Sequence, residues 1–167
     1  MKNNICLLAA IMAITCFTNC KKDAKKVSNQ DFFLPVNVDF YVNLDLPLNS
    51  DLNFPNGFIY QPGYGYKNRG VIVYNTGFTG PDQYVAFDRS CPYKVDSSCS
   101  FVSVESSALY FRCGQYTGSG RSTLTPCCNS RFVAGNGTQV SGPADRSLKQ
   151  YYVGILGRQL RITNLPQ

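Results

Sequence analysis

The chain has 167 residues, sixteen Lys and Arg against ten Asp and Glu, a formal net charge of +6, and no histidine at all. The missing imidazole removes Ser-His-Asp and Cys-His nucleophiles and histidine metallohydrolases together. From Asp31 onward the cations exceed the carboxylates by only two, so the excess charge sits near the N-terminus and a nucleic-acid partner has no support.

The N-terminal stretch MKNNICLLAAIMAITCFTN, residues 1–19, has one early cation, Lys2, then an apolar run from Ile5 to about Thr15. That pattern predicts an export signal, and the run is too short to span a bilayer. It gives way abruptly to CKKDAKKVSNQ, residues 20–30, a cationic tether without apolar periodicity whose lysines read as a solvated spacer. Cys20 at this junction resembles the lipidated cysteine of bacterial lipoproteins, which is diacylated and becomes the new N-terminus. Cys16 is a competing junction, the preceding FTN departs from the usual small-residue pattern, and a secreted chain cut nearby is the plain alternative. The CKKD start also resembles lipoproteins of the Bacteroidota. The resemblance implies a cell-envelope protein held to the membrane by its N-terminal lipid, on the periplasmic or surface face of the outer membrane.

Residues 31–167 suit one domain able to bury its own core. Helix signals are scarce: there is a single Glu, Glu105, and Gly and Pro are frequent. Strand signals are abundant. VNVDFYVNL alternates over Val36 to Leu44, GVIVYN covers Gly70 to Asn75, QYVAFD covers Gln83 to Asp88 and ALYFRC covers Ala108 to Cys113. RFVA, TQV, KQYYVGIL and RQLRIT follow, each bounded by Gly, Asn or Pro. The expectation is an all-β fold, a small antiparallel barrel or sandwich. NGFIYQPGYGYKNRG, Asn56 to Gly70, reads as a hairpin and loop whose tyrosines cover the barrel edge; its rival reading is a glycan- or protein-binding aromatic face around Tyr60, Tyr64 and Tyr66. GNG at Gly135 to Gly137 reads as a tight turn, and GQYTGSG as a surface hairpin without the residues of a phosphate loop. The carboxylates are scattered, and no pair suggests acid-base catalysis.

With Cys6 and Cys16 in the signal and Cys20 under the lipid, Cys91, Cys99, Cys113, Cys127 and Cys128 remain. In an oxidising compartment five thiols allow at most two disulfides and one odd cysteine. Their setting is specific: VAFDRSCPYKVDSSC, then TPCCNSRF, then SGPADRSLKQYYVGILGRQLRITN. This series, with the strands from about Val36 to Asn164, resembles the Rieske family, in which two cysteine-containing loops hold a two-iron, two-sulfur cluster on two Cys and two His. Carried onto this chain, the ligand positions are Cys91, Tyr93, Thr125 and Cys128, so the first His is a Tyr, the second Cys a Thr and the second His a Cys. A conventional cluster therefore cannot form.

The same resemblance implies a disulfide between Cys99 and Cys127, the two non-ligand cysteines that brace the loops. It places Cys91 and Cys128 where a second disulfide could close the site, while Cys113 with Cys128 is an equally open pairing. An all-cysteine metal site would need Cys91, Cys113, Cys128 and one of the bracing pair. Against it stand the absence of Cys-x-x-Cys spacing, the divergent directions of adjacent Cys127 and Cys128, and competition from disulfides. The expectation is no metal and no enzymatic activity, in a protein that binds or supports. The alternative is an electron carrier with a thiolate-ligated 2Fe-2S cluster.

Overall fold

The computed structural model describes residues 36–117 and 122–164. The export signal, Cys20, the tether, the first residues of the proposed β domain and the tip of the GQYTGSG hairpin lie outside the described residues. Among those described, no helix is long and apolar enough to cross a membrane.

The fold is all-β. Among the described residues, ten strands, joined by turns and three short 3-10 segments, form two antiparallel sheets. They are β1 (Asp39–Asn43), β2 (Phe58–Gln61), β3 (Val71–Asn75), β4 (Tyr84–Asp88), β5 (Val102–Val104), β6 (Tyr110–Thr117), β7 (Thr123–Val133), β8 (Gln139–Ser141), β9 (Gln150–Leu156) and β10 (Gln159–Thr163). One sheet has six strands in the order β1-β10-β9-β4-β3-β2; the other has four, β5-β6-β7-β8.

The apolar patterns explain this division. In β1 the alternation puts Phe40 and Val42 inward and exposes Asp39 and Tyr41. By contrast, VIVYN of β3 and YVAFD of β4 are buried along their whole length. Their odd and even residues serve two cores. Val71, Val73, Tyr84 and Ala86 join Phe40, Val42, Leu52, Leu160 and Ile162 in a cluster lined by the six-stranded sheet. Ile72, Tyr74, Val85 and Phe87 pack instead with Val102, Val104, Phe111 and Phe132 of the four-stranded sheet. A strand covered on both faces has no solvent face to carry polar residues, so its sequence reads as an apolar run. The rings of Tyr74 and Phe87 meet Phe111 edge-on, at centroid distances of 5.8 and 5.7 Å.

Three features escaped the sequence reading. VSV of β5 is too short to show alternation. The segment Pro47–Asn53 forms a 3-10 turn that buries Leu52 beneath β2 and β3. The largest difference is TPCCNSRF: the sequence suggested a loop, but it runs within the eleven-residue strand β7.

One buried carboxylate ties the sheets to the loops. Asp88, at the end of β4, is wholly buried. Its Oδ2 accepts hydrogen bonds from the Tyr66 N–H at 2.6 Å and the Tyr151 hydroxyl at 2.7 Å, and its Oδ1 accepts one from the Ser90 N–H at 2.7 Å. Burial and the adjacent Asp88 charge push the Tyr151 phenol far above its ordinary pKa, so it remains a donor. Replacing Asp88 by Asn sets an amide nitrogen among donors and is expected to destabilise the fold by about 3 kcal/mol in urea unfolding of the full chain. A loss below about 1 kcal/mol would show that the Asp88 bonds are not among those the fold depends on.

Candidate functional site: a three-thiol cluster under two bridged loops

The site lies where the β4–β5 connection meets β6 and β7. The first wall is the turn-rich segment from Cys91 to Ser100. Its ends are tied by the Cys91 N–H to the Ser100 carbonyl at 3.1 Å, and the Ser100 hydroxyl donates to the carbonyls of Cys91 and Tyr93. Arg69, from the β2–β3 connection, clamps this segment from outside. Its guanidinium donates to the carbonyls of Val95 at 2.6 Å, Ser97 at 2.6 Å and Ser100 at 3.0 Å.

The second wall comes from an irregularity in the β6–β7 ladder. Arg112 pairs with Arg131 and Gly114 with Pro126, so the four residues Cys127 to Ser130 stand opposite Cys113 alone. The surplus is absorbed as a bulge that re-aims side chains, with Asn129 in left-handed backbone at φ 60°. Two glycines permit it. A Cβ on Gly114, at φ +148°, would lie 2.5 Å from the Thr125 carbonyl oxygen, and one on Gly142, at φ +88°, would lie 2.5 Å from Ser130 Cα. The buried Ser130 hydroxyl accepts the Ala144 N–H at 2.9 Å, which docks the Gly142-Pro143-Ala144 turn onto the bulge.

The bulge sends its adjacent cysteines in different directions. Cys127 bonds to Cys99 as a disulfide, with S–S 2.07 Å, and joins the two walls. Cys128 turns inward and, with Cys91 and Cys113, brings three Sγ atoms within 4.8 Å of one another. Cys91 and Cys128 are 3.5 Å apart, and all three are free thiols, so neither second disulfide weighed from the sequence is formed in this structure. Cys91 and Cys113 are completely buried and Cys128 half-buried. Beside Cys128 opens a cleft of about 440 Å³, lined by Tyr93, Lys94, Ser97, the Cys99–Cys127 bridge and Pro143.

The three thiols do not titrate alike. Cys113 is lowered to about 7, chiefly because the Cys91 thiol donates to it, with the Cys128 thiol and a backbone N–H helping against burial. The Cys91 thiol is pushed up strongly, first by that same bond and then by burial. Burial raises Cys128, against hydrogen bonding with Ser130. The trio thus accommodates one negative charge on Cys113 more readily than a second or third.

The four positions carried over from the resemblance do not converge. Cys91 and Cys128 meet. Tyr93 is half-buried at the cleft wall, and Thr125 is exposed on β7 opposite Gln115. A two-iron cluster needs four ligands. With Cys99 and Cys127 joined to each other, the described residues gather three sulfurs, so the donor set does not fit that cluster. Sequence reasoning offered Cys113 only as a possible fourth sulfur; its place in the trio follows from the bulge, which no local pattern announces.

The tyrosines of Asn56 to Gly70 are engaged within the domain. The Tyr60 hydroxyl accepts the Val104 N–H at 2.9 Å, and Arg89 lies over its ring at 4.0 Å from the centroid. Tyr64 stacks on Phe40 with ring centroids 4.4 Å apart. The Tyr66 hydroxyl donates to Asp96 at 2.9 Å, and this bond to the carboxylate leads the rise in its pKa. Glu105 takes a two-pronged bond from Arg131 at 2.9 and 2.7 Å, a structural use of the one glutamate. No protein-family model matches the chain, and no curated protein is significantly similar to it.

Two outcomes follow from these contacts. Arg69→Ala is expected to speed hydrogen exchange at the amides of Cys91, Ser97 and Ser100 by at least about tenfold, with the β3 and β4 amides unchanged. Equal exchange in the variant would mean that Arg69 does not hold the loop. Tyr64→Ala is expected to cost about 2–3 kcal/mol of stability, since it removes a ring packed on the core; a fully stable variant would return Tyr64 to the surface.

Proposed function

We propose that this is a lipid-anchored cell-envelope protein whose Rieske-like β domain binds or supports and does not catalyse, having given up the two-iron cluster of the family it resembles. The observation that carries the reading is the mismatch at the site. The two cysteine loops are tied together by the Cys99–Cys127 bridge, while the chain has no histidine and Thr125 lies exposed on β7. The domain thus keeps a framework of the kind the resemblance implies, with a donor set that cannot serve a two-iron centre. The lack of histidine, and the single Glu held by Arg131, support a non-enzymatic role.

Anchoring through Cys20 would place the domain at the membrane on a cationic tether, so its partner would be met at the envelope. The cleft beside Cys128 is the better candidate for contact with a ligand or partner protein than the Tyr60 to Tyr66 segment, whose rings serve the fold. A glycan-binding aromatic face would need rings free to stack on a sugar. The competing electron-carrier reading would need a fourth cluster ligand, from outside the described residues or from an opened Cys99–Cys127 bridge.

Intact-mass analysis of the chain purified from envelopes, with and without alkylation and alongside iron and acid-labile sulfide, tests the proposal. The expected result is a diacylated Cys20 N-terminus, one disulfide, three thiols that alkylate on denaturation, and neither iron nor sulfide. Stoichiometric iron with acid-labile sulfide would overturn it and make the protein an electron carrier.

A further inference from the structure

We infer that Cys91, Cys113 and Cys128 form a binding site for one thiophilic divalent cation of the zinc class, with a fourth coordination position toward the cleft beside Tyr93 and Pro143. This rests on the reading of the site as one without a two-iron cluster, and it assigns a ligand class to that site.

The sulfur geometry comes first. A zinc-thiolate bond of about 2.3 Å requires sulfurs about 3.8–4.0 Å apart, for tetrahedral or trigonal coordination respectively. The three Sγ atoms all lie within 4.8 Å of one another, and the Cys91–Cys128 separation is 3.5 Å. Changes of at most about 1 Å in the sulfur separations bring such a triangle onto one ion. They are small beside the rearrangement a four-sulfur site would need, which would first have to break the Cys99–Cys127 bridge.

The surroundings favour thiolates over a simple apolar cluster. The Cys128 thiol donates to the buried Ser130 hydroxyl at 3.2 Å, and Ser130 is itself held by the Ala144 N–H at 2.9 Å. An outer hydrogen bond of this kind orients a ligand, as such bonds do around metal sites generally.

Charge selects the class of ion. Three thiolates with a divalent cation leave one net negative charge in the interior, whereas a monovalent cation leaves two. Arg69 is largely buried at 8 % exposure, and among the described residues no carboxylate lies within ion-pair distance of it. It bonds the Ser100 carbonyl, and Ser100 in turn holds Cys91. One guanidinium therefore stands next to a site that would carry one negative charge, which suits a dication in a low-dielectric setting.

Access favours an incomplete coordination shell. Cys128 is the member of the trio that lines the cleft, while the core closes over Cys91 and Cys113. Three protein ligands with one side toward solvent is the arrangement that admits an exchangeable water or small ligand.

The full chain, reduced under argon and freed of metal, is titrated with zinc alone and weighed by non-denaturing mass spectrometry. The expected result is one zinc per chain, with three thiols that resist alkylation until a chelator is added. Cobalt as a spectroscopic probe should give thiolate-to-metal charge-transfer absorption that zinc abolishes. Removing a ligand should cost at least the upper end of what outer-shell changes cost, so Cys128→Ser is expected to weaken binding by about 100-fold or more. Cys128 is half-buried, so this variant keeps the core that Cys113→Ser would disturb; a native circular dichroism spectrum establishes that. Zinc binding unchanged in Cys128→Ser, zinc bound with all three thiols still reactive, or no zinc bound by the reduced folded chain would each overturn the inference. So would a Cys91–Cys128 disulfide that yields to reductant only on unfolding. Failure here with a colourless, iron-free chain leaves the cluster-less reading standing; iron with acid-labile sulfide removes that reading as well.

Discussion

Asp88 is the group on which the arrangement of the site depends. A carboxylate at zero exposure must have its oxygens occupied, because an uncompensated buried charge costs several kcal/mol. Its three donors come from three separate places: Tyr66 in the β2–β3 connection, Ser90 at the entry to the first cysteine loop, and Tyr151 on β9. Satisfying one charge therefore fixes the exit of β4 relative to a neighbouring hairpin and to the strand beside it. Cys91 follows Ser90 directly and inherits that position. Arg69 lies three residues beyond Tyr66, so the hairpin that caps the carboxylate also delivers the guanidinium that holds the rest of the loop.

The opposite wall is set by a different constraint. A regular ladder between β6 and β7 would leave Cys127 and Cys128 pointing to opposite faces. Four residues opposite Cys113 give the freedom for one sulfur to reach across to Cys99 and the other to descend to Cys91 and Cys113. The bulge is held from both sides by glycines and by the Ser130 bond to Ala144, so it is a built feature and not slack chain. Bridge and trio thus share one cause. Straightening β7 would lose both together.

The β class and most strands were legible because burial writes itself into residue pattern. Alternation marked β1, and doubly covered β3 and β4 appeared as apolar runs flanked by Gly, Asn and Asp. The short β5 and the buried 3-10 turn carried too few residues for a period to emerge. At the site, the sequence identified the relevant cysteines, yet placed Cys113 only loosely. The reason is physical: the trio depends on a register defect between strands, which is a property of two segments together. The same holds for Asp88, an unremarkable strand-terminal Asp in sequence, two of whose three donors lie 22 and 63 residues away. Long-range satisfaction of a buried charge leaves no local trace.

The chemistry of the thiol reconciles a core that packs these cysteines with the cation site proposed for them. A protonated cysteine packs as a small hydrophobe, and Cys91 and Cys113 sit in the core cluster beside Phe111 and Phe132. The domain needs no ion to bury them. Two hydrophobic clusters and the Cys99–Cys127 bridge supply the framework, unlike a small zinc-dependent motif in which coordination replaces a missing core. Deprotonation alters the balance, since one thiolate is supported by its neighbours but three are not. A cation that arrives as the protons leave resolves that conflict without moving the walls. On the proposed reading, binding of the cation is then reversible while the fold stays intact.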